Sequence, residues 1–388
     1  MGFVRLRTLF ISAALLSCTV FLGVSCTKTH EPEPEPEIRI GVIITTTVPM
    51  MENSALNAIE MIREDLEKEG GLYVSGKKHP VNFVVERITG GVPEEAVKAV
   101  NKLINQLGVV AIIGPDFSID AIPSGEVAEK AGVPLLSALS THPKTTAGRE
   151  YVFRTAFLNS FQARGMARFC VRDLEAEKLA VLYNIANPYS REIAETFQET
   201  VKGEGKDISF FESYVTGQTD FSTKLGRIRD KAPDVLYLPN FFQETESIAV
   251  QVRDMGIDAV LVGVESWHRV KFVAMPEFEG AYFTAHWDSN LLSEISRNFT
   301  DRYISRSGQV PEDGAALTYD ALGLMMKAIE HQGKFDPRSI RDGLYALGPY
   351  DGVTGIIDFV DTGDPQREAV VLRFEEGNVR FVRKITAR

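Results

Sequence analysis

Five short loops carry side chains that could grip a small polar molecule. Gly114-Pro115-Asp116-Phe117-Ser118 follows the apolar run Val109 to Ile113, and Ser137 to Pro143, containing Ser140-Thr141, follows Leu135-Leu136. Both offer hydroxyls and backbone amides near a helix start, where unpaired N–H groups and the helix dipole favour a carboxylate. In the second half, Leu179 to Tyr183 leads to Asn187-Pro188-Tyr189, Val235 to Pro239 to Asn240-Phe241-Phe242, and Ala259 to Gly263 to Glu265-Ser266-Trp267. That set is one acid among aromatic rings. The acid is costly to desolvate alone, but it could pair with a ligand ammonium, assisted by ring faces. Other readings stand beside this one: Ser118 as a cap of the helix toward Ala131, Ser140 and Thr141 as turn residues, Glu265 as a solvated loop acid, Phe241 and Trp267 as packing between lobes. Joint placement at matching strand ends favours binding.

The elements that must position these loops alternate. Short runs apolar on both faces, Ile38 to Ile44, Val81 to Arg87, Val109 to Ile113, Leu179 to Tyr183, Val235 to Leu238 and Ala259 to Val262, suit parallel strands covered by helices on both sides. Between them lie amphipathic helices. One is opened by Pro93 with Glu94 and Glu95, another is closed by Gly70-Gly71 after Glu69, and the segment from Ser54 carries Leu56, Ile59, Ile62 and Leu66 at helical spacing. Phe161 to Leu174 and Glu192 to Val201 behave likewise. The order strand, helix, strand occurs twice, before about Thr155 and after about Glu177, so the fold class is α/β with two Rossmann-like lobes, each a parallel sheet flanked by helices. In such sheets ligands bind beyond the carboxyl ends of the strands.

The N-terminus reads as an export signal. Arg5 and Arg7 precede 16 residues from Leu9 to Val24, short of the roughly 20 that a spanning helix needs. Residues 1–25 are therefore expected to be a cleaved signal peptide. Leu22-Gly23-Val24-Ser25-Cys26 resembles a bacterial lipobox with its leucine one place early, which makes Cys26 the expected lipidation site, with Cys18 or simple secretion as the alternatives. Residues 26–37 then form an acidic, proline-alternating spacer, extended as polyproline II. This places the protein outside the cytoplasmic membrane, periplasmic or at the cell surface, anchored by lipid.

Composition excludes other classes. The formal net charge of −11 becomes about −13 once Arg5 and Arg7 are removed, too acidic for nonspecific phosphate binding, so no nucleic-acid partner is expected. With Cys26 lipidated, Cys170 is the only free thiol expected in the mature chain, so no intramolecular disulfide can form, and it reads as a buried small hydrophobe. Gly71 to Lys78 nearly spells a phosphate loop, but Lys78 replaces the metal-binding hydroxyl and the motif follows a helix, so it reads as a turn. No nucleophile elbow, His-Glu-x-x-His pair or Cys-x-x-Cys occurs, and the six histidines have no metal spacing. His268 and His286 could meet near a cleft, but loop histidines are more often solvated or structural. Asp358, Asp361 and Asp364 lack a calcium loop's full ligand series. No enzyme activity, metal or cofactor is expected.

Seven strings in order, Ile40-Gly41-Val42, Glu69-Gly70-Gly71, Ile113-Gly114-Pro115, Ala131-Gly132-Val133-Pro134, Val152-Phe153-Arg154-Thr155, Thr219-Asp220-Phe221-Ser222 and Asp351-Gly352-Val353-Thr354-Gly355, resemble the branched-chain amino acid binding proteins of ABC transporters. The resemblance spans Ile38 to about Val382. It implies the type I periplasmic binding protein fold with three hinge crossings, near Arg154 to Phe157, Ala285 to Asn290 and Tyr350 to Gly355. Lobe 1 would hold 38–155 and 287–351, lobe 2 156–286 and 352–388. It further implies that an amino acid's carboxylate meets Ser118, Ser140 and Thr141, that Tyr189 and Phe241 close over it, and that Glu265 takes the ammonium. Phe117, Phe242, Trp267, Met50 and Met51 are then candidate pocket walls, which would suit an apolar, branched-chain or aromatic ligand. An ABC permease in the inner membrane is the implied partner. The same fold could instead serve an amide, urea or aromatic acid, or feed a signalling partner without transport.

Overall fold

The chain, in a computed structural model, is described over residues 1–2, 35–268, 270–289 and 293–386. The leader, Cys18, Cys26, most of the acidic spacer and Asn290 lie outside the described residues.

The first lobe runs through β1 (Ile38–Thr45), α1 (Pro49–Glu69), the hairpin β2 (Leu72–Val74) and β3 (Lys77–His79), β4 (Val81–Ile88), α2 (Pro93–Asn105), β5 (Ala111–Ile113), α3 (Ser118–Ala131), β6 (Leu135–Ser137) and β7 (Val152–Arg154). Its sheet is parallel in the order β4-β1-β5-β6-β7. Successive strand residues face opposite layers, and here both layers are dry. Ile40, Val42 and Ile44 face a core shared with α1, whereas Ile43 faces Ala96, Val100 and Leu103 of α2. Helix α1 starts at Pro49, earlier than the apolar spacing from Ser54 shows, because Pro49 supplies a first turn that needs no backbone donor. Its far end stops at Gly70, whose φ of 76° is the left-handed cap glycine adopts without strain.

The second lobe contains α4 (Asn159–Arg172), β8 (Leu179–Asn184), α5 (Pro188–Gly203), β9 (Ile208–Tyr214), α6 (Ser222–Lys231), β10 (Val235–Tyr237), α7 (Phe242–Asp254), β11 (Val260–Gly263), α8 (Val270–Val273) and β12 (Tyr282–Ala285). The chain then returns to the first lobe, where α9 (Glu294–Ser307), α10 (Asp313–Gln332) and α11 (Pro337–Ala346) follow, with α10 packed along α1. The hairpin β13 (Tyr350–Gly352) and β14 (Gly355–Ile357) precedes β15 (Ala369–Glu375) and β16 (Asn378–Ile385), which complete the second sheet as β16-β15-β12-β11-β10-β8-β9. Its five parallel strands repeat the first lobe's pattern, with the first strand between the second and third. Each sheet thus has a switch point where successive crossovers diverge to opposite faces, opening a crevice at the strand ends.

The chain leaves the first lobe where β7 ends at Arg154 before α4, and leaves the second where β12 ends at Ala285 before α9. The third crossing corrects the boundary at 351/352. Ile357 and Phe359 are buried in the first lobe's core, Phe359 meets Phe153 edge-on at 5.2 Å, and the Arg154 amide donates to the Gly363 carbonyl. Residues 352–364 therefore belong with the first lobe, and the chain crosses between Asp364 and β15. The cause is period-two burial past the hairpin, which a reading of the Asp351 to Gly355 turn as a crossing overlooks.

Candidate functional site

The strand-end loops of both lobes meet around one cavity of about 540 Å³, its open mouth included. From the first lobe come Met51, Asp116, Phe117, Ser118, Leu139 and Thr141, with Asp313 and Gly314 from the start of α10. Tyr189, Phe241, Phe242, Glu265, Ser266 and His286 line it from the second.

On the first lobe, α3 starts at Ser118 after Phe117, which serves as N-cap without a side-chain bond. Ser118 is thus the first helical residue and does not cap the helix. Its hydroxyl instead accepts from Ser140 Oγ at 3.0 Å, and Ser140 Oγ also bonds Thr145 Oγ1 at 2.7 Å. Ser140 stands behind the wall and aligns Ser118; it does not line the cavity. The loop bearing Thr141 is pinned by Arg154, fully buried, whose guanidinium donates to the carbonyls of Ser140 and His142 at 2.8 Å each and to Asp364 Oδ1 at 2.6 Å.

On the second lobe, Asn187 caps α5 by accepting the Tyr189 amide at 3.0 Å, which fixes Tyr189 at the second helical position. The tyrosine ring stacks on Phe241 with centroids 4.9 Å apart and planes within 1°. Phe241 in turn meets Phe117 across the cleft at 5.1 Å, so an aromatic contact joins the lobes. Glu265 opens a 3₁₀ turn, Glu265–Trp267, directly after β11. Two contacts hold that turn: Ser266 Oγ donates to the Asn240 carbonyl at 2.8 Å, and the Trp267 indole packs on the bare Cα of Gly263.

Trp267 consequently lies in the second lobe's core, fully buried against Phe272 and Phe278, and not on the cavity as the sequence suggests. Its size wins a place where Gly263 leaves room. Met50 is also off the cavity, since of the residues of α1 its neighbour Met51 is the one that lines it. Of the other expected residues, Ser118, Thr141, Tyr189, Phe241, Glu265, Phe117, Phe242 and Met51 come together.

The electrostatics are more acidic than one carboxylate among rings. Burial pushes the Glu265 carboxyl up to about 7, against the opposing pull of Gln162 and Tyr189, and Asp313 adds to the rise. Glu265 Oε2 is sealed from solvent without a partner at hydrogen-bonding geometry, as is the Tyr189 hydroxyl. Burial works to raise Asp313 too, but it is held below its usual range by His268, whose Nδ1 lies 2.8 Å from Oδ1, and by the His286 amide. The two histidines thus meet through Asp313. Asp116 is the third acid, driven up to about 7 by burial and by like-charged Asp120. Sequence reasoning missed Asp116, Leu139, Ser266, Asp313 and Gly314 as lining residues, and named His286 near the cleft only as a solvated or structural histidine. Asp116 stands in the same strand-end string as Ser118 and was legible there, whereas Asp313 reaches the cleft only because the returning chain lays α10 on α1.

Among the described residues no three His, Cys, Asp or Glu side chains converge as a metal site, and no helix is long and apolar enough to cross a membrane. The arrangement offers hydroxyls, a helix start and the buried carboxyls of Asp116 and Asp313 on one side, the buried Glu265 on the other, and rings between. Such an arrangement has the chemistry to hold a small dipolar solute.

Known proteins share this build. The family described as periplasmic binding protein matches residues 37–378. A Leu/Ile/Val-binding protein homolog of Brucella melitensis is 23% identical over 354 residues, covering 88% of this chain and 92% of its own. The leucine binding protein LivK of Thermotoga maritima superposes with a TM-score of 0.83 at 26% identity, covering 90% of this chain and 99% of its own. LivJ of Streptococcus pneumoniae, solved with isoleucine, gives 0.82 at 26%, covering 89% and 99%. A solute binding protein of R. palustris solved with benzoate shares the fold at 16% identity, with a TM-score of 0.79 and coverage of 90% and 97%.

Proposed function

This chain belongs to the periplasmic binding protein family, and from that premise we propose that it is the extracytoplasmic solute-binding component of an ABC transporter, taking an α-amino acid between its lobes by hinge closure. One observation carries the reading: Ser118 and Thr141 on one lobe and Glu265 with Tyr189 on the other line a single cavity. An amino acid carries both complements, and only a ligand touching both lobes stabilises their approach. Its carboxylate meets the Ser118 and Thr141 hydroxyls at the start of α3, where free amides and the helix dipole add to the attraction. Its ammonium meets Glu265, which gains a counter-charge in place of lost water. Phe117, Phe241, Phe242, Leu139 and Met51 enclose the apolar body of the side chain. The leucine- and isoleucine-binding relatives support this class of ligand. An aromatic acid, which has no ammonium, would leave Glu265 buried and unmatched.

A permease is the partner that would read the closed form, and Cys26 is the proposed lipid anchor. Cys26→Ser should shift the protein from membrane to soluble fractions, and unchanged fractionation would refute the anchor. The function itself is tested by a thermal-shift screen over amino acids, amides and aromatic acids. At least one α-amino acid should raise Tm, since a ligand at a hundred times Kd adds about 2.7 kcal/mol to the folded state. A shift with an amide or aromatic acid and none with any amino acid would contradict the reading.

A further inference from the structure

Three carboxyls line a cavity that the amino acid reading furnishes with one ammonium. Glu265 answers that ammonium, and Asp313 is already balanced by His268 at 2.8 Å. Asp116 is left over. It is 8% exposed, lines the cavity two residues before Ser118, and among the described residues has neither a hydrogen bond nor an ion pair. The charge that acts on it, Asp120, has the same sign and worsens its burial. Asp120 cannot relieve it, because its own Oδ2 accepts from the Gly91 amide at 2.8 Å and its Oδ1 is buried without a partner. A second polar group interrupts the apolar wall as well: the His286 ring lies tilted against Phe157, centroids 3.7 Å apart, with both ring nitrogens buried and unpartnered. An aliphatic side chain seated here would strip water from Asp116 and return nothing. A donor on the ligand would satisfy it, and a site built around a buried polar group rejects analogues lacking the matching group far more strongly than a greasy pocket sorts methylenes.

We propose that Asp116 sets side-chain specificity in this cleft, selecting an amino acid whose side chain presents a hydrogen-bond donor over its aliphatic counterpart. The inference rests on the amino acid reading above and narrows its ligand from apolar to donor-bearing. Its test is calorimetric titration of the exported protein with matched pairs: threonine and valine, glutamine and methionine, lysine and norleucine. In at least one pair the donor-bearing member should bind tenfold tighter or more, and Asp116→Leu should reverse that order. Should Asp116→Leu fail to fold by circular dichroism, Asp116→Asn decides, because it keeps the volume while removing the charge; the advantage should then shrink at least threefold. Valine, methionine and norleucine binding as tightly as their partners would overturn the proposal while leaving the amino acid reading intact, as would a preference unchanged in the variants. No binding by any α-amino acid would instead overturn both.

Discussion

Glu265 is held by the fold in a form it would not keep in water, and that has a measurable sign. Its carboxyl ionises near 7 in the folded chain against 4.5 for the free side chain, because burial penalises the charge. A raised pKa means the fold favours the protonated acid, so the associated stability is fully present below about 4.5 and is lost as pH rises through about 7. The loss is at most about 3 kcal/mol, and Asp116 contributes in the same direction. Tm of the empty protein should therefore fall between about pH 5 and pH 8, and Glu265→Gln should flatten part of that slope; a Tm that rises over this range would contradict the assignment. A bound ammonium favours the ionised acid, so affinity should weaken as pH drops below about 7 in the wild type but not in Glu265→Gln. The key residues were legible because each stands just past a strand: Ser118, Thr141, Tyr189, Phe241 and Glu265 all line the cavity. Trp267 was misread, since sequence shows an aromatic at a strand end but not that Gly263 offers it a berth inside.

At the scale of elements, strands and helices were readable from burial on two faces and from proline and glycine punctuation. The lobe boundary near residue 352 was not, because the hairpin β13–β14 and the stretch after it use ordinary alternation whose partner, Phe153, is about two hundred residues away. The turn carrying Glu265 shows how an element sets a site. A Cβ on Gly263 would sit 2.1 Å from Trp267 Cδ2, so the indole, buried among Phe272 and Phe278, must move. Gly263→Ala should cost about 1–3 kcal/mol of stability as an overpacked core does. Because Trp267 ends the same 3₁₀ turn that Glu265 begins, the variant should also lose ligand affinity at least tenfold, as followed by titration calorimetry. Retained affinity would show that the turn is positioned independently of the indole.

For the whole molecule, two sheets whose five parallel strands share one order face one another across a cleft, and the chain passes between them three times. Duplication of the order explains why Ser118 and Thr141 on one lobe and Tyr189 and Glu265 on the other arrive at equivalent strand ends on opposite sides. Phe117 and Phe241 touch across that cleft at 5.1 Å, which couples the lobes where a ligand would lie. Closure then depends on both poles of the ligand being present, since removing either leaves one lobe without its contact. The direct measurement is calorimetric titration of the exported protein with its tightest-binding amino acid, the N-acetyl derivative and the carboxamide. Blocking either pole should weaken binding at least tenfold, and in Glu265→Gln the penalty for acetylation should largely vanish because the parent amino acid has already lost its counter-charge. An N-acetyl derivative that binds the wild type as tightly as the free amino acid would contradict the two-lobed grip.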